Sequence, residues 1–223
     1  MREPIEHIIW DWNGTLFGDS LALIDATIEA FARVGLPPVT RGDYQRHHTQ
    51  PIHRFYTRLA GRDLDATEQD QLAFQFQQAY LRLRGRIQLT PDATTALGQW
   101  RDAGRGQSLL SMYAHEELLP LVHQFGIDGY FARVDGLIGR HTDGKTPHLE
   151  RHLAQLGVPR DRVAVVGDSA DDAVAARACG VQCVLYHAGH RALHHRDHFA
   201  GLDVLIVDSL VAAVDHLAAG QTV

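Results

Sequence analysis

Five short apolar runs, each ending on a polar or small residue, constrain this chain more than any other feature: EHIIWD (6–11), QSLLSM (107–112), RVAVVGD (162–168), QCVLYH (182–187) and DVLIVD (203–208). A strand with one wet face alternates polar and apolar residues, so near-continuous apolarity over so short a span marks strands buried on both faces. Helical periodicity fills most of the gaps. It covers TPDATTALGQWRDAG, with Thr90 expected as N-cap and Pro91 at N1; HEELLPLVHQFG; TPHLERHLAQLG, closing on Gly157; and ADDAVAARACG, closing on Gly180. Strand and helix in alternation require parallel pairing through right-handed crossovers, so the expected class is α/β, a three-layer parallel sheet. Such sheets bind ligands beyond the carboxyl ends of their strands.

Residues 19–88 break the alternation. SLALIDATIEAFARVG, RGDYQRHHTQ, PIHRFYTRLAG and TEQDQLAFQFQQAYLRLRG are all helical in period, with no strand between them. The sheet must close around its first strand, so this block reads as an inserted all-helical cap, expected to pack over the end of that strand. The remaining residues, 1–18 and 89–223, form a Rossmann-like core. A length of 223 residues suits one such domain with its insertion. The formal charge of −6, without a long basic run, argues against nucleic acid or an anionic membrane as partner. No stretch approaches the roughly 18 apolar residues of a membrane span. The amino-terminal residues MREPIEHIIWDW do not read as a signal peptide, and Cys179 and Cys183 read as small buried fillers, so a reducing cytoplasm is the expected setting.

Polar residues at the run ends share one end of such a sheet. Asp11 ends the first strand and Ser111 the second; Lys145 opens a helix; Asp168 ends the strand VAVVG, and Asp172 follows it by one helical turn. Singly, each has an ordinary explanation as turn cap, backbone partner or dipole complement. Together they make a ligand site. Carboxylates at 11, 168 and 172 are the hard oxygen donors that hold Mg²⁺. Ser111 and Lys145 suit phosphoryl oxygens, and Gly14 and Thr15 bring backbone N–H groups close. Asp11 is then able to attack phosphorus. Of the 21 basic residues 20 are Arg, which makes the lone Lys145 a candidate for a site needing a compact ammonium.

In DWNGTL, LLSMY, GK (144–145) and VVGDSADDAVAARACG the chain resembles the haloacid dehalogenase-like superfamily of phosphohydrolases, in order and over nearly its whole length, and phosphoglycolate phosphatase-like members in particular. The resemblance implies an aspartyl-phosphate mechanism with Asp11 as nucleophile. Ser111, the adjoining Met112 and Lys145 would stand at the phosphoryl group. Asp11, Asp168, Asp172 and the backbone carbonyl of Asn13 would hold Mg²⁺. The expected partner is a small phosphorylated metabolite.

Two positions depart from the pattern. Met112 stands where many relatives have Asn, and Asn13 replaces a second Asp that in related phosphatases protonates the leaving group and activates water. An amide exchanges no proton, and loss of such help slows a reaction by about 10²–10⁴-fold. Three accounts stay open: another proton carrier, with His115 or the cap residues His47, His48 and His53 as candidates; a leaving group acidic enough to need none; or a weak or inactive phosphate-ligand-binding protein. Arg46, Arg54 and Arg58 read as a solvated helix face. His190, His194 and His198, though spaced for a metal pair on a helix, read as compositional in a chain with 15 His.

Overall fold

The apolar runs form one sheet. The computed structural model describes residues 3–49, 52–139 and 144–220. Residues 50 and 51, at the junction of two expected helices, and residues 140–143, before Lys145, lie outside them. The strands are β1 (His7–Trp10), β2 (Gly106–Ala114), β3 (Val134–Leu137), β4 (Val163–Gly167), β5 (Gln182–Tyr186) and β6 (Leu205–Val207). They stand in the order β3-β2-β1-β4-β5-β6, all neighbours parallel. The architecture is the expected Rossmann-like α/β sheet. Chain order reverses between β1 and β4, whose residues are all buried, and in sheets of this kind such a switch point is where ligands bind, beyond the strands' carboxyl ends.

The helices are α1 (Ser20–Val34), α2 (Arg41–His47), α3 (Ile52–Ala60), α4 (Ala66–Arg84), α5 (Ala93–Asp102), α6 (His115–Gln124), α7 (Thr146–Leu156), α8 (Ala170–Cys179) and α9 (Leu210–Ala219). One face of the sheet buries Ile9, Leu110, Val163 and Val165 against Leu149 and Leu153 of α7 and Ala175, Ala176 and Cys179 of α8. Each large aliphatic side chain so buried contributes about 1.5–3 kcal/mol. Both helices end on a glycine in the left-handed region, Gly157 and Gly180, as their sequences imply. Among the described residues, no helix is long and apolar enough to cross a membrane.

Three local expectations need correction. Thr90 is not the N-cap of α5. That position belongs to Asp92, while the Thr90 hydroxyl donates to the carbonyl of Thr15 and the Asp92 carboxylate accepts from Val211 N at the start of α9. The second strand runs past Ser111 to Ala114, with an irregular register against β3 between Leu110 and Ala114. β3 itself, VDGL, was not anticipated: it is a half-buried edge strand and lacks a continuous apolar run.

The chain divides into two units, one comprising Met1–Gly18, Leu89–Gly189 and Gly201–Val223, the other Asp19–Gln88 with His190–Ala200. The core expected from the sequence takes in 190–200, yet this stretch packs with the helical unit. Leu193 joins the cluster of Ile24, Phe31, Tyr44, Phe55 and Leu72. Gln45 Nε2 donates to Ala192 O (2.6 Å), Gln45 O accepts from His195 N (2.9 Å), and His198 Nε2 donates to Arg46 O (3.0 Å). The stretch contains 3₁₀ turns rather than the α-helix that would align His190, His194 and His198.

His48 is buried where this stretch meets α2. Its ring stacks on Tyr44 and meets Phe55 and His194 edge-on, and among the described residues its Nδ1 has no hydrogen-bond partner. Burial, helped by His194 and His198, pushes its pKa down to about 3. The unfolded chain therefore takes up this proton first: the stabilisation is present above the unfolded value near 6.5 and is lost as pH falls toward 3. Chemical denaturation of the natural chain is expected to weaken by about 3 kcal/mol between pH 7 and pH 4 from this residue. His48→Phe, which keeps a ring in the stack, should flatten that slope.

Candidate active site

The site begins where β1 leaves the sheet. Asp11 N still donates to Val166 O of β4 (2.8 Å), so the carboxylate is anchored at the switch point. The chain then turns tightly. Trp12 O accepts from Thr15 N (3.3 Å) and Phe17 N (2.8 Å), and Gly14 N donates to Phe17 O (2.9 Å). Trp12 stacks flat on Phe17, centroids 5.0 Å apart, both fully buried beneath the turn. Gly14 has φ +71°, and a Cβ there would lie 2.1 Å from Asp168 Oδ2, so both conformation and space require glycine. Thr15 Oγ1 donates weakly to Asp11 Oδ2 (3.4 Å).

The second part comes from β4 and α8. Asp168 follows the strand, and Ser169 caps the helix in a reciprocal box with Asp172, whose Oδ2 accepts from Ser169 N (3.1 Å) and Oγ (2.6 Å). Gly167 permits this approach, since a Cβ there would meet Asp172 Cγ at 2.3 Å. The box fixes one oxygen of Asp172 and leaves Oδ1 facing the site. The sequence shows the Ser-x-x-Asp spacing, though not that Ser169 orients a site carboxylate.

Lys145, at the N-cap of α7, closes the constellation. Its buried Nζ donates to Asp11 Oδ1 and to Asp172 Oδ1, the latter at 2.5 Å. One oxygen each of Asp11, Asp168 and Asp172 lies within 4.8 Å of the others. The donors are all hard oxygens, brought together from the end of β1, the end of β4 and the first turn of α8, with the Lys145 ammonium beside two of them. That set fits a divalent cation of the Mg²⁺ type.

The electrostatics agree. Burial, opposed by Lys145 and reinforced by Asp172, pushes the Asp11 carboxyl up to about 7. For Asp172, burial works against ionisation, yet Lys145 and Ser169 hold it below the usual carboxylate range. Burial likewise disfavours the Lys145 cation, and the two carboxylates overcome this, keeping it protonated. Attraction to two anions outweighs desolvation because the contacts are direct.

The remaining expected residues are less tightly joined. Ser111 is buried on β2, two residues beyond Leu109, the register partner of Trp10, and its Oγ accepts from Tyr113 N (3.0 Å). Met112 beside it is half-buried. Asn13 is half-buried in the turn, bridged to Phe17. His115 opens α6, and its Nδ1 accepts from Gly136 N (3.0 Å), so a neutral ring carries its proton on Nε2. His47, His48 and His53 belong to the helical unit.

A family model described as haloacid dehalogenase-like hydrolase matches residues 5–180. The phosphoglycolate phosphatase of Mesorhizobium japonicum is 26% identical, the match covering 97% of this chain and 100% of that protein. The phosphoglycolate phosphatase of Yersinia pestis is 28% identical, over 90% and 92% of the two chains. The structure also superposes on the haloacid dehalogenase-like family protein SP0104 of Streptococcus pneumoniae, with TM-score 0.75 over 95% of this chain and 97% of that one at 16% identity, a likeness of fold.

The close approach at Gly14 is testable. Gly14→Ala must strain a left-handed residue and also displace Asp168, whereas Gly157→Ala, with φ +66° and open space around it, adds strain alone. Denaturant unfolding should find Gly157→Ala weaker by about 1 kcal/mol and Gly14→Ala by about 2–4 kcal/mol.

Proposed function

The chain belongs to the haloacid dehalogenase-like hydrolase family, and from that premise we propose that it is a Mg²⁺-dependent phosphohydrolase acting on a small phosphorylated metabolite through an aspartyl phosphate on Asp11. The observation that carries this reading is the convergence of Asp11, Asp168 and Asp172 on one point, with Lys145 bridging two of them. The phosphoglycolate phosphatases among its relatives support a small, anionic substrate.

Asp11 attacks phosphorus through a carboxylate oxygen, the phosphorus–oxygen bond to the leaving group breaks, and the leaving oxygen departs as an alkoxide that takes its proton from solvent water. Water then attacks the aspartyl phosphate, releasing orthophosphate and restoring the carboxylate. Attack of one anion on another meets a repulsion of about 4 kcal/mol at ~4 Å and an effective dielectric of ~20. Lys145 offsets it from one side. Asp11, Asp168, Asp172 and the Asn13 carbonyl would hold Mg²⁺, which when bound would supply further positive charge beside the phosphoryl oxygens. The end of β2 at Ser111 and Met112 borders the phosphoryl position, whereas the N–H groups of Gly14 and Thr15, expected there from the sequence, are given to Phe17 O and Trp12 O within the turn.

Asn13 is the weak point of this machinery. Its amide neither protonates a departing alkoxide nor takes a proton from water, so turnover of an ordinary phosphate ester is slow. An acyl phosphate, whose leaving group needs no proton, is expected to be less affected. The same residue is the observation favouring a second reading, a phosphate-ligand-binding protein with little turnover.

Phosphate release from a metabolite panel including phosphoglycolate, with and without Mg²⁺, separates the two. Asn13→Asp should raise the rate on alkyl phosphates by about 10²-fold or more, and Asp11→Asn should abolish it. Silence of both the natural chain and Asn13→Asp would leave the binding reading. Turnover surviving in Asp11→Asn would reject the nucleophile.

A further inference from the structure

A second polar constellation lies in the core of the sheet unit. His152 of α7 sits in the buried stripe with Leu149 and Leu153, where an apolar side chain would be ordinary. Its Nδ1 lies 2.7 Å from Asp135 Oδ2 on β3, and its Nε2 lies 2.7 Å from Ser108 Oγ on β2. Ser108 Oγ in turn lies 2.8 Å from His7 Nε2 at the start of β1, and Arg133 Nε donates to Asp135 Oδ2 at 2.5 Å. Three adjacent strands and one helix are joined by a single file of hydrogen bonds.

Only one proton arrangement satisfies every member while both imidazoles are neutral. His7 Nε2–H donates to Ser108, Ser108 O–H donates to His152 Nε2, and His152 Nδ1–H donates to Asp135. Burial lowers the proton affinity of both imidazoles, His7 to about 4, and Lys145 and Arg133 contribute to the lowering at His152. The order Ser, His, Asp is that of a hydrolytic triad, but Ser108 and His152 are fully buried, so no ester carbonyl reaches the hydroxyl. The file therefore has a different use.

That use follows from where α7 points. Lys145 heads the same helix two turns before His152, on the same face. Leu149 and Leu153 hold α7 against the sheet by contacts that have no direction, so they permit small rotation and sliding. Hydrogen bonds from His152 to two different strands fix both. A helix rotation of about 20° carries the root of a side chain by roughly 1 Å, and a 1 Å misplacement at a reacting centre costs up to about 10²-fold.

We propose that His152 is a positioning residue: held by Ser108 and Asp135, it fixes the rotation and axial position of α7 so that Lys145 reaches Asp11 and Asp172 together. The inference rests on the reading of Lys145 as the cation of a phosphoryl site, but its geometric content is separately measurable. Lys145 is the single lysine in the chain, so ¹³C,¹⁵N-lysine labelling gives one side-chain signal that reports on this ammonium alone.

The labelled protein is compared with Ser108→Ala, His152→Phe, Asp135→Asn and Leu153→Ala. The lysine Cε–Hε correlation should move toward the position of a solvent-exposed lysine in Ser108→Ala and His152→Phe. It should stay near its original place in Asp135→Asn, which keeps an acceptor for His152, and in Leu153→Ala, which loosens α7 without touching the file. Where the chain hydrolyses phosphate, kcat/KM in the first two variants should fall by about tenfold. Ser108→Ala removes one buried atom and carries the test if His152→Phe does not fold. An unmoved lysine signal in folded Ser108→Ala, or an equal displacement in Leu153→Ala, would overturn the proposal whatever the activity. A displaced signal in a chain that hydrolyses no phosphate would uphold the positioning and count against the phosphatase reading alone.

Discussion

The ammonium of Lys145, shared between Asp11 and Asp172, is the contact on which the rest of the sheet unit turns. It joins the end of β1, the head of α7 and the first turn of α8. Each partner is buried, so each alone would carry an uncompensated charge; removing one member of such a group typically costs about 3–5 kcal/mol. Two other features make the contact possible. Gly14 and Gly167 lack the side-chain atom that would collide with Asp168 and Asp172, and the Ser169 box turns one oxygen of Asp172 away from the lysine. The glycines, the cap and the strand order at β1 and β4 serve one requirement, the convergence of anions that would otherwise repel.

Much of this was legible in the sequence, because burial on both faces leaves a plain trace. A central parallel strand has no wet side, so IIW and VAVVG stand out as unbroken apolar runs, and the polar residue that ends each marks the sheet's ligand edge. The glycine stops of α7 and α8 were equally plain, since a left-handed residue strongly favours glycine. Lys145 announced itself by being the one lysine among twenty arginines.

What escaped was held by tertiary contacts without local signature. β3 is an edge strand whose four residues are all half-buried and include Gly136, so neither alternation nor an apolar run identifies it. Thr90 has the chemistry of an N-cap, but the carbonyl of Thr15, 75 residues away in the chain, takes its hydroxyl. Residues 190–200 follow a core strand in sequence, and their attachment to the helical unit depends on Gln45 and Leu193, neither of which marks it locally. His7, Ser108, Asp135 and His152 each looked like ordinary strand or helix polarity. A faint signal was present: His7 has the parity of Ile9, Ser108 that of Leu110, and His152 lies in the stripe of Leu149 and Leu153, so all three occupy core-facing positions.

Asn13 separates two properties that a second aspartate would combine. The tight turn does not need the acid, because its hydrogen bonds come from the backbones of Trp12, Gly14, Thr15 and Phe17. Nor does residue 13 supply any of the carboxylates of Asp11, Asp168 and Asp172 or the ammonium of Lys145 that meet at the site. On the proposed reading the substitution removes a proton carrier without changing the charge that an arriving phosphate meets, since an acid poised to protonate a leaving group is itself neutral. On that reading the amide would slow the steps that require proton transfer and would leave the proposed nucleophile and its counter-charges in place. On the same reading a leaving group that departs without a proton would lose little by this exchange, so the chemistry of the leaving group, more than the affinity for phosphate, would set what this site turns over.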